Sequence, residues 1–232
     1  MTNYLRSKIG NFDLYVNHRQ FIGDGNESIV SPKMNWLNLT IKRCMDLFFA
    51  IGFMLVIGWW LFPIIAILIK MDSPGPVFFK QVREGVNNRT FNCYKFRSMV
   101  VNKDADLKMA TKDDPRITRV GRFLRKSSLD ELPQILNVIY GNMSIVGPRP
   151  HILVQNEQHS LEIDGYRNRH LVKPGITGLA QARGYRGEIH EFNSMYFRYK
   201  LDMYYIKTWS PKLDLKIIWM TAKSITGHEN AY

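Results

Sequence analysis

Two adjacent carboxylates, Asp130 and Glu131, lie in the stretch RKSSLDELPQ (125–134) of a 232-residue chain with a formal net charge of +12. Just upstream, Arg116, Arg119, Arg122 and Arg125 recur every third residue. A carboxylate can attack phosphorus to form an acyl phosphate, which divides one difficult displacement into two easier ones. Such a site needs cations around the transferring and departing phosphates, because positioning and electrostatics dominate the reaction. It also needs a divalent cation and a carboxylate to hold it. Candidate phosphate-binding cations are Lys95, Arg97, Arg116, Arg119, Arg122, Arg125 and Arg149. Arg149, fixed between Pro148 and Pro150, is suited to a bidentate contact. A solvated or lipid-facing basic surface accounts for several of these residues equally well.

The acidic pair also has a purely structural reading. Ser128-Leu-Asp-Glu131 matches a capping box, with Ser128 as N-cap and Glu131 reaching back to its N–H. Pro133 argues against it, because in that helix it would lack the N–H that bonds back to Leu129, and it disfavours helical geometry at Leu132. If the helix begins at Pro133 instead, both carboxylates sit in the preceding turn at its electropositive mouth.

An apolar fraction of 45% with 12% aromatics is that of a folded protein, and the length suits one sizeable core. The positive charge calls for an anionic partner: nucleic acid, lipid headgroups or a phosphorylated substrate. Cys44 and Cys93, the only cysteines, lie in apolar, strand-like contexts and provide neither a disulfide framework nor a metal-ligand spacing. The scattered histidines offer no zinc pattern.

The stretch LFFAIGFMLVIGWWLFPIIAILI (47–69) carries no charge and as a straight helix would be roughly 35 Å long, enough to cross a bilayer core. Some forty residues precede it and no small-residue cleavage site follows, so a cleavable signal peptide is not expected. Lys42 and Arg43 stand before it, and Lys70, Lys80 and Arg83 after it, so positive charge marks both flanks. Pro63 predicts a kink or break. A helix that enters, bends and returns to one face fits both observations; a tilted, kinked span is the alternative.

Residues 1–40, with the loop GDGNES (23–28), read as an N-terminal extension, 41–70 as the membrane-inserted helix, and 71–232 as the body. VFFKQ (77–81) and TFNCYKF (90–96) predict a β-hairpin around REGVNNR. The remainder reads as mainly helical. PQILNVIYG (133–141) is a helix ended by glycine, MSIVGPRPH (143–151) a short apolar piece entering a stiff loop, and KPGITG (173–178) another loop. In SPKLDLKIIWMTAKSI (210–225), Ser210 is a candidate N-cap and Pro211 the first helical residue of an amphipathic helix, suited to a membrane surface or to core packing. The expected fold class is α+β, mainly helical: a membrane helix, a β-hairpin and a helical domain with amphipathic interfacial helices.

KRCMD (42–46), DSPGPVFFKQ (72–81), YKFRSM (94–99), DDPRITRVGRFLRKSSLDELPQ (113–134), NVIYGNMSIVGPRP (137–150) and KPGITGLAQ (173–181) follow one another from about Ile41 to the C-terminus. In these blocks the chain resembles the bacterial sugar transferases, the monotopic polyprenyl-phosphate phosphoglycosyl transferases. The resemblance implies transfer of a sugar-1-phosphate from a UDP-sugar to undecaprenyl phosphate with release of UMP, the first step of polysaccharide assembly. It implies Asp130 as nucleophile, Glu131 assisting, and Mg²⁺ as cofactor at Asp130 and Glu131. Phosphate contacts from Lys95, Arg97, Arg116, Arg125 and Arg149, and a substrate loop with Lys173, Pro174, Gly175 and Gln181, complete the expected site. The family further implies a re-entrant helix in the bacterial inner membrane, a cytoplasmic catalytic domain, lipid contact and no nucleic-acid partner, leaving homo-oligomerisation open. This chain departs from the family at Phe62, where a serine commonly precedes the proline, and at Leu179, Ala182 and Arg183. GYRGE (184–188) resembles the GWRGE of members that transfer hexose-1-phosphates. The rival reading is a non-catalytic, membrane-anchored scaffold for anionic lipid or nucleic acid.

Overall fold

A computed structural model describes residues 35–101, 114–185 and 192–226. Residues 1–34 with the GDGNES loop, and residues 186–188 of GYRGE, lie outside the described residues. The first elements are two helical segments, α1 (Trp36–Phe53) and α2 (Trp59–Asp72), joined by a π-helical turn at Met54–Gly58. Together they run as one 37-residue helix that begins well before the uncharged stretch. Asn35 starts it, its side chain accepting from the Asn38 N–H at 2.9 Å. Cys44, expected in a strand-like context, is an exposed residue of α1.

The helix does not break at Pro63, which lies inside α2. Its irregularity is the π turn just upstream, where the widened register relieves the turn that the proline ring presses against. The rings of Phe53 and Phe62, on either side of the π turn, have centroids 6.5 Å apart. Both pack against the core cluster of Ala50, Cys93, Ile135, Val138 and Met143, so this stretch of the helix is seated on the body.

Lys42 and Arg43, two of the flanking charges that suggested topology, are structural anchors. Lys42 Nζ donates to Asp214 Oδ2 at 2.8 Å, to the Tyr205 hydroxyl at 3.1 Å and to the Val146 carbonyl at 3.0 Å. Arg43 donates to the carbonyls of Val138 and Ile139, and Asp46 accepts from the Ser144 hydroxyl and the Ile145 N–H. At the far end Asp72 accepts from the Val120 N–H. Asp214 also accepts from the Tyr205 hydroxyl and from Trp209 Nε1. Asp214→Ala should therefore destabilise the fold by about 3–5 kcal/mol by leaving the Lys42 ammonium buried and unpaired. Thermal melting checks this; a loss below 1 kcal/mol would mean that the pair is dispensable.

The hairpin pairs β1 (Phe78–Glu84) antiparallel with β2 (Thr90–Phe96), Gln81 opposite Cys93. β1 extends to Glu84, three residues beyond the predicted VFFKQ. Next come α3 (Arg119–Lys126), a 3₁₀ turn at Leu129–Glu131 and α4 (Gln134–Tyr140), which ends on Gly141 at φ 87° as the sequence predicts. Leu124 of α3 packs with Ile65, Ile69 and Phe96 in a second cluster, which seats α3 against α2.

A parallel pair, β3 (Ser144–Val146) with β4 (Gly175–Thr177), replaces the loop expected at KPGITG. The two backbones approach so closely that a Cβ on Gly175 would lie 2.1 Å from the Gly147 nitrogen, so a side chain is excluded there. The crossover between them holds α5 (Leu153–Glu162) and a 3₁₀ segment at Tyr166–Leu171. The short α6 (Leu179–Ala182), then α7 (Phe192–Thr208) and α8 (Pro211–Thr226), complete the described elements. The Ser210 hydroxyl accepts from the Leu213 N–H at 3.2 Å, the predicted cap of α8. Ile217 and Asp214 face inward while Leu215 and Trp219 are exposed, so this helix serves the core and also presents an apolar outer edge. The mainly helical α+β expectation holds, with the parallel pair added.

Candidate active site

The capping box does not form. Ser128 is left-handed (φ 57°) and its side chain caps nothing, while Leu129–Glu131 make the 3₁₀ turn. Leu132 keeps right-handed helical geometry despite the proline after it, and Pro133 is the N-cap of α4. Both carboxylates thus sit in the turn before the helix, the placement that frees them for chemistry.

Their surroundings differ. Glu131 is held by two cations: Arg149 donates Nη1 to Oε2 at 3.0 Å and Nη2 to Oε1 at 2.6 Å, and Lys95 donates to Oε1 at 2.7 Å. Burial opposes the charge of Glu131, but Arg149 and Lys95 outweigh it and hold the carboxyl well below its usual range. Asp130 is only 7% exposed and accepts no hydrogen bond from the described residues. Burial pushes its carboxyl up to about 6, Lys95 opposing and Glu131 reinforcing, with Arg125 and Arg149 also lowering it. Two neighbouring carboxyls are thereby driven apart, one lowered by its cations and one raised by burial.

The scaffold explains the positions. Lys95 stands on β2, and α4 is fixed to that strand by Asn137, which is fully buried; its Oδ1 accepts from the Tyr94 N–H and its Nδ2 donates to the Asn92 carbonyl. Arg149 follows β3, and its carbonyl accepts from Arg169 Nη2 at 2.8 Å. Arg169, 2% exposed, is itself held by Asp202 at 2.8 Å and the Tyr166 hydroxyl at 2.8 Å. Arg83 donates to the Pro150 carbonyl at 3.1 Å. Beside the dyad a narrow cleft of about 10 Å³ is lined by Arg83, Cys93, Lys95, Glu131, Gln134, Arg149 and Pro150.

Of the sequence-selected residues, the structure brings Asp130, Glu131, Lys95 and Arg149 together, with Arg125 near enough to act on Asp130. Others are placed elsewhere. Arg97, expected on phosphate, is buried and donates to the carbonyls of Ile69, Ser73 and Pro74, closing the C-terminal end of α2. Arg116 pairs with Asp114 at 2.7 Å, just before α3. Arg119 and Arg122 point outward with Phe123, because a three-residue spacing on a helix cannot aim every side chain at one neighbour. Lys173 lies at the opposite end of α4, where a Cβ on Gly141 would be 3.7 Å from both Lys173 Nζ and Arg43 Nη2. Burial and then Arg43 lower its ammonium. Pro174 and Gly175 contribute backbone bonds to Ser144 and Pro148, and Gln181 donates to the Ile176 carbonyl at 3.2 Å. This loop supports the Arg149 segment from behind. Sequence reasoning missed Asn137, Arg169 and Asp202, whose only signal is a polar residue inside an apolar pattern.

The sequence model described as bacterial sugar transferase matches residues 37–228. The chain belongs to the bacterial sugar transferase family. It is 53% identical, over 75% of its length, to the UDP-glucose:undecaprenyl-phosphate glucose-1-phosphate transferase of Xanthomonas campestris pv. campestris, and covers 36% of that relative. Against the protein of the same name from Escherichia coli (strain K12), identity is 47% over 81% of this chain and 40% of the relative. The exopolysaccharide production protein PSS of Rhizobium leguminosarum bv. phaseoli is 42% identical over 81% of this chain and 96% of its own length. The chain thus spans well under half of the first two relatives, and nearly all of the exopolysaccharide production protein. All the residues that meet at the dyad lie within the span that the family shares.

Proposed function

We propose that this sugar transferase moves a sugar-1-phosphate from a UDP-sugar to undecaprenyl phosphate and releases UMP. The observation that carries the reading is an unpaired, buried carboxylate, Asp130, adjoining one that two cations hold ionised. The Asp130 oxygen attacks the phosphorus bonded to the sugar; the bond to the bridging oxygen breaks, and UMP departs with that electron pair. An oxygen of undecaprenyl phosphate then attacks the same phosphorus, the acyl-phosphate bond breaks, and the Asp130 carboxylate is restored. Arg149 and Lys95 balance the negative charge gathered around phosphorus. The scaffold reading leaves the separated acid pair without a use.

The donor set suits Mg²⁺ only as a shared ligand. Both oxygens of Glu131 are already engaged by cations, which leaves Asp130 as the available carboxylate, and no cluster of three ligating residues occurs among the described residues. Mg²⁺ commonly binds through one or two carboxylates with substrate phosphates and water, so Asp130, with Glu131 beside it, would hold it. When bound it would neutralise phosphate charge.

The reading extends to topology: α1 and α2 enter one leaflet and return, with the body on the cytoplasmic face of the bacterial inner membrane. Three features support this. The helix carries a π turn at its middle, its two ends are tied to the same body, and its outer face carries exposed Phe48, Leu55, Trp59 and Ile67. In a Cys44→Ser background, Leu37→Cys and Met71→Cys should both react with an impermeant maleimide from the cytoplasmic side; labelling from opposite sides would establish a span. The function itself is tested with protein in nanodiscs containing undecaprenyl phosphate, Mg²⁺ and a panel of UDP-sugars, following UMP. Release that requires both the lipid phosphate and one donor sugar supports the reading, and silence across all donors sinks it.

A further inference from the structure

The backbone that carries Arg149 cannot be held in the ordinary way. Pro148 and Pro150 have no N–H, so the segment is fixed mainly through its carbonyls. Each of the three has a donor. The Pro148 carbonyl accepts from the Gly175 N–H at 2.9 Å, the Arg149 carbonyl from Arg169 Nη2 at 2.8 Å, and the Pro150 carbonyl from Arg83 Nη1 at 3.1 Å. The proline rings set φ at 148 and 150, and Pro150 confines Arg149 to extended geometry. What remains is the tilt of the peptide after Arg149, and the Arg169 bond removes it.

Arg169 is placed for more than an ion pair. It is 2% exposed, and a guanidinium at that depth is costly unless it is paired and hydrogen-bonded. Its three nitrogens reach three separate places: Nε donates to Asp202 Oδ2 at 2.8 Å, Nη1 to the Tyr166 hydroxyl at 2.8 Å, and Nη2 to Arg149. Asp202, buried on α7, offsets the charge. Well-packed apolar residues in place of the pair would fill this space without loss if packing were the only requirement. Only a planar fork carries donors in three directions from one rigid group. The direction that packing does not need is the one to the Arg149 carbonyl.

Precision matters at that carbonyl. Arg149 meets Glu131 with two bonds, of 3.0 and 2.6 Å, and such a fork tolerates little displacement of the backbone behind it. We infer that Arg169 is a positioning residue for the transfer: by fixing the Arg149 carbonyl it aims the Arg149 guanidinium at Glu131 and at the phosphate being transferred. Arg169 acts through Arg149 alone, and Asp202 and Tyr166 hold it in turn. The inference rests on the transferase reading.

The test is a double-mutant cycle read by UMP release in nanodiscs. Arg169→Lys keeps a cation opposite Asp202 but has one nitrogen in place of three, so it cannot serve the carboxylate and the carbonyl together. In the wild-type background it should lower kcat/KM about tenfold, the worth of one charge-assisted hydrogen bond passed on to Arg149. In an Arg149→Ala background the loss should be about twofold at most, because the group that it positions is gone. The single variant should also add a second acid limb to the pH profile, since Glu131 then loses part of the partner that lowers its carboxyl. Tyr166→Phe removes the hydroxyl that steers Nη1 while keeping the ring and the Asp202 pair. It should show the same dependence on Arg149 with a loss of about threefold, and it carries the test if Arg169→Lys does not fold. Equal losses with and without Arg149 overturn the inference, as does full activity in Arg169→Lys or an unmoved pH profile. A wild type silent with every UDP-sugar overturns the transferase reading itself, so the two failures are distinguishable.

Discussion

Asp130→Asn is expected to abolish UMP release and, at the same time, to raise the melting temperature. The amide offers no anionic oxygen to attack phosphorus, and loss of a nucleophile commonly costs a thousandfold or more, on the order of the effects seen when such groups are removed singly. The stability gain has a separate cause. Burial raises the folded-state pKa of Asp130 to about 6, above its value in the unfolded chain. The folded state therefore binds the proton more tightly, and the carboxyl favours folding below the unfolded pKa. That contribution is lost as pH rises through the interval up to about 6. At pH 7 the buried charge is a net cost of about 1–3 kcal/mol, which a neutral amide of the same shape removes. For a chain of this length the gain amounts to roughly 2–12 °C. The same displaced pKa predicts an acid limb in wild-type kcat/KM near pH 6, since the protonated acid cannot attack. A variant that still releases UMP would remove Asp130 from the nucleophile role. A variant that melts below wild type would show that the Asp130 charge is compensated in the fold.

Arg149→Ala should produce the second largest loss, about a hundredfold to a thousandfold in kcat/KM, the usual range for removing one preorganised charge-stabilising group. Two effects combine. The cleft loses a guanidinium at the position where phosphate charge gathers, and Glu131 loses its bidentate partner. With burial opposing its charge and only Lys95 left to favour it, the Glu131 carboxyl should move upward and add its own acid limb to the pH profile. Arg149→Lys should rescue little, because an ammonium cannot reproduce two parallel N–H···O bonds. Stability should fall by about 2 kcal/mol, less than for a fully buried pair because both side chains retain some solvent. Full activity in Arg149→Lys would mean that only net charge matters here. An unmoved pH profile in Arg149→Ala would mean that Lys95 alone sets the state of Glu131.

Much of this was legible in the residue order, because local rules decide it. The apolar run, the hairpin, the glycine stop at Gly141 and the Ser210–Pro211 helix start all follow from propensities and spacings within a few residues. So did the placement of Asp130 and Glu131 in the turn before α4, since Pro133 makes a continuous helix through the pair unfavourable. Arg149 was legible too, through the prolines that fix its backbone, although its partner in the structure is a carboxylate rather than a phosphate.

What residue order could not show is which partner each polar side chain meets. Lys42 reads as a membrane-flank charge, and its carboxylate partner, Asp214, is 172 residues away. Arg97 sits in a motif that suggests phosphate, yet the nearest acceptors in space are the carbonyls at the end of α2. KPGITG has loop chemistry, but a parallel partner across the crossover makes its centre a strand. By itself the sequence determined the family and the adjacency of the two carboxylates, because both are written in residue order. Only the tertiary structure decided which cations meet that pair, because ion pairs and burial depend on distances between segments that no local pattern encodes.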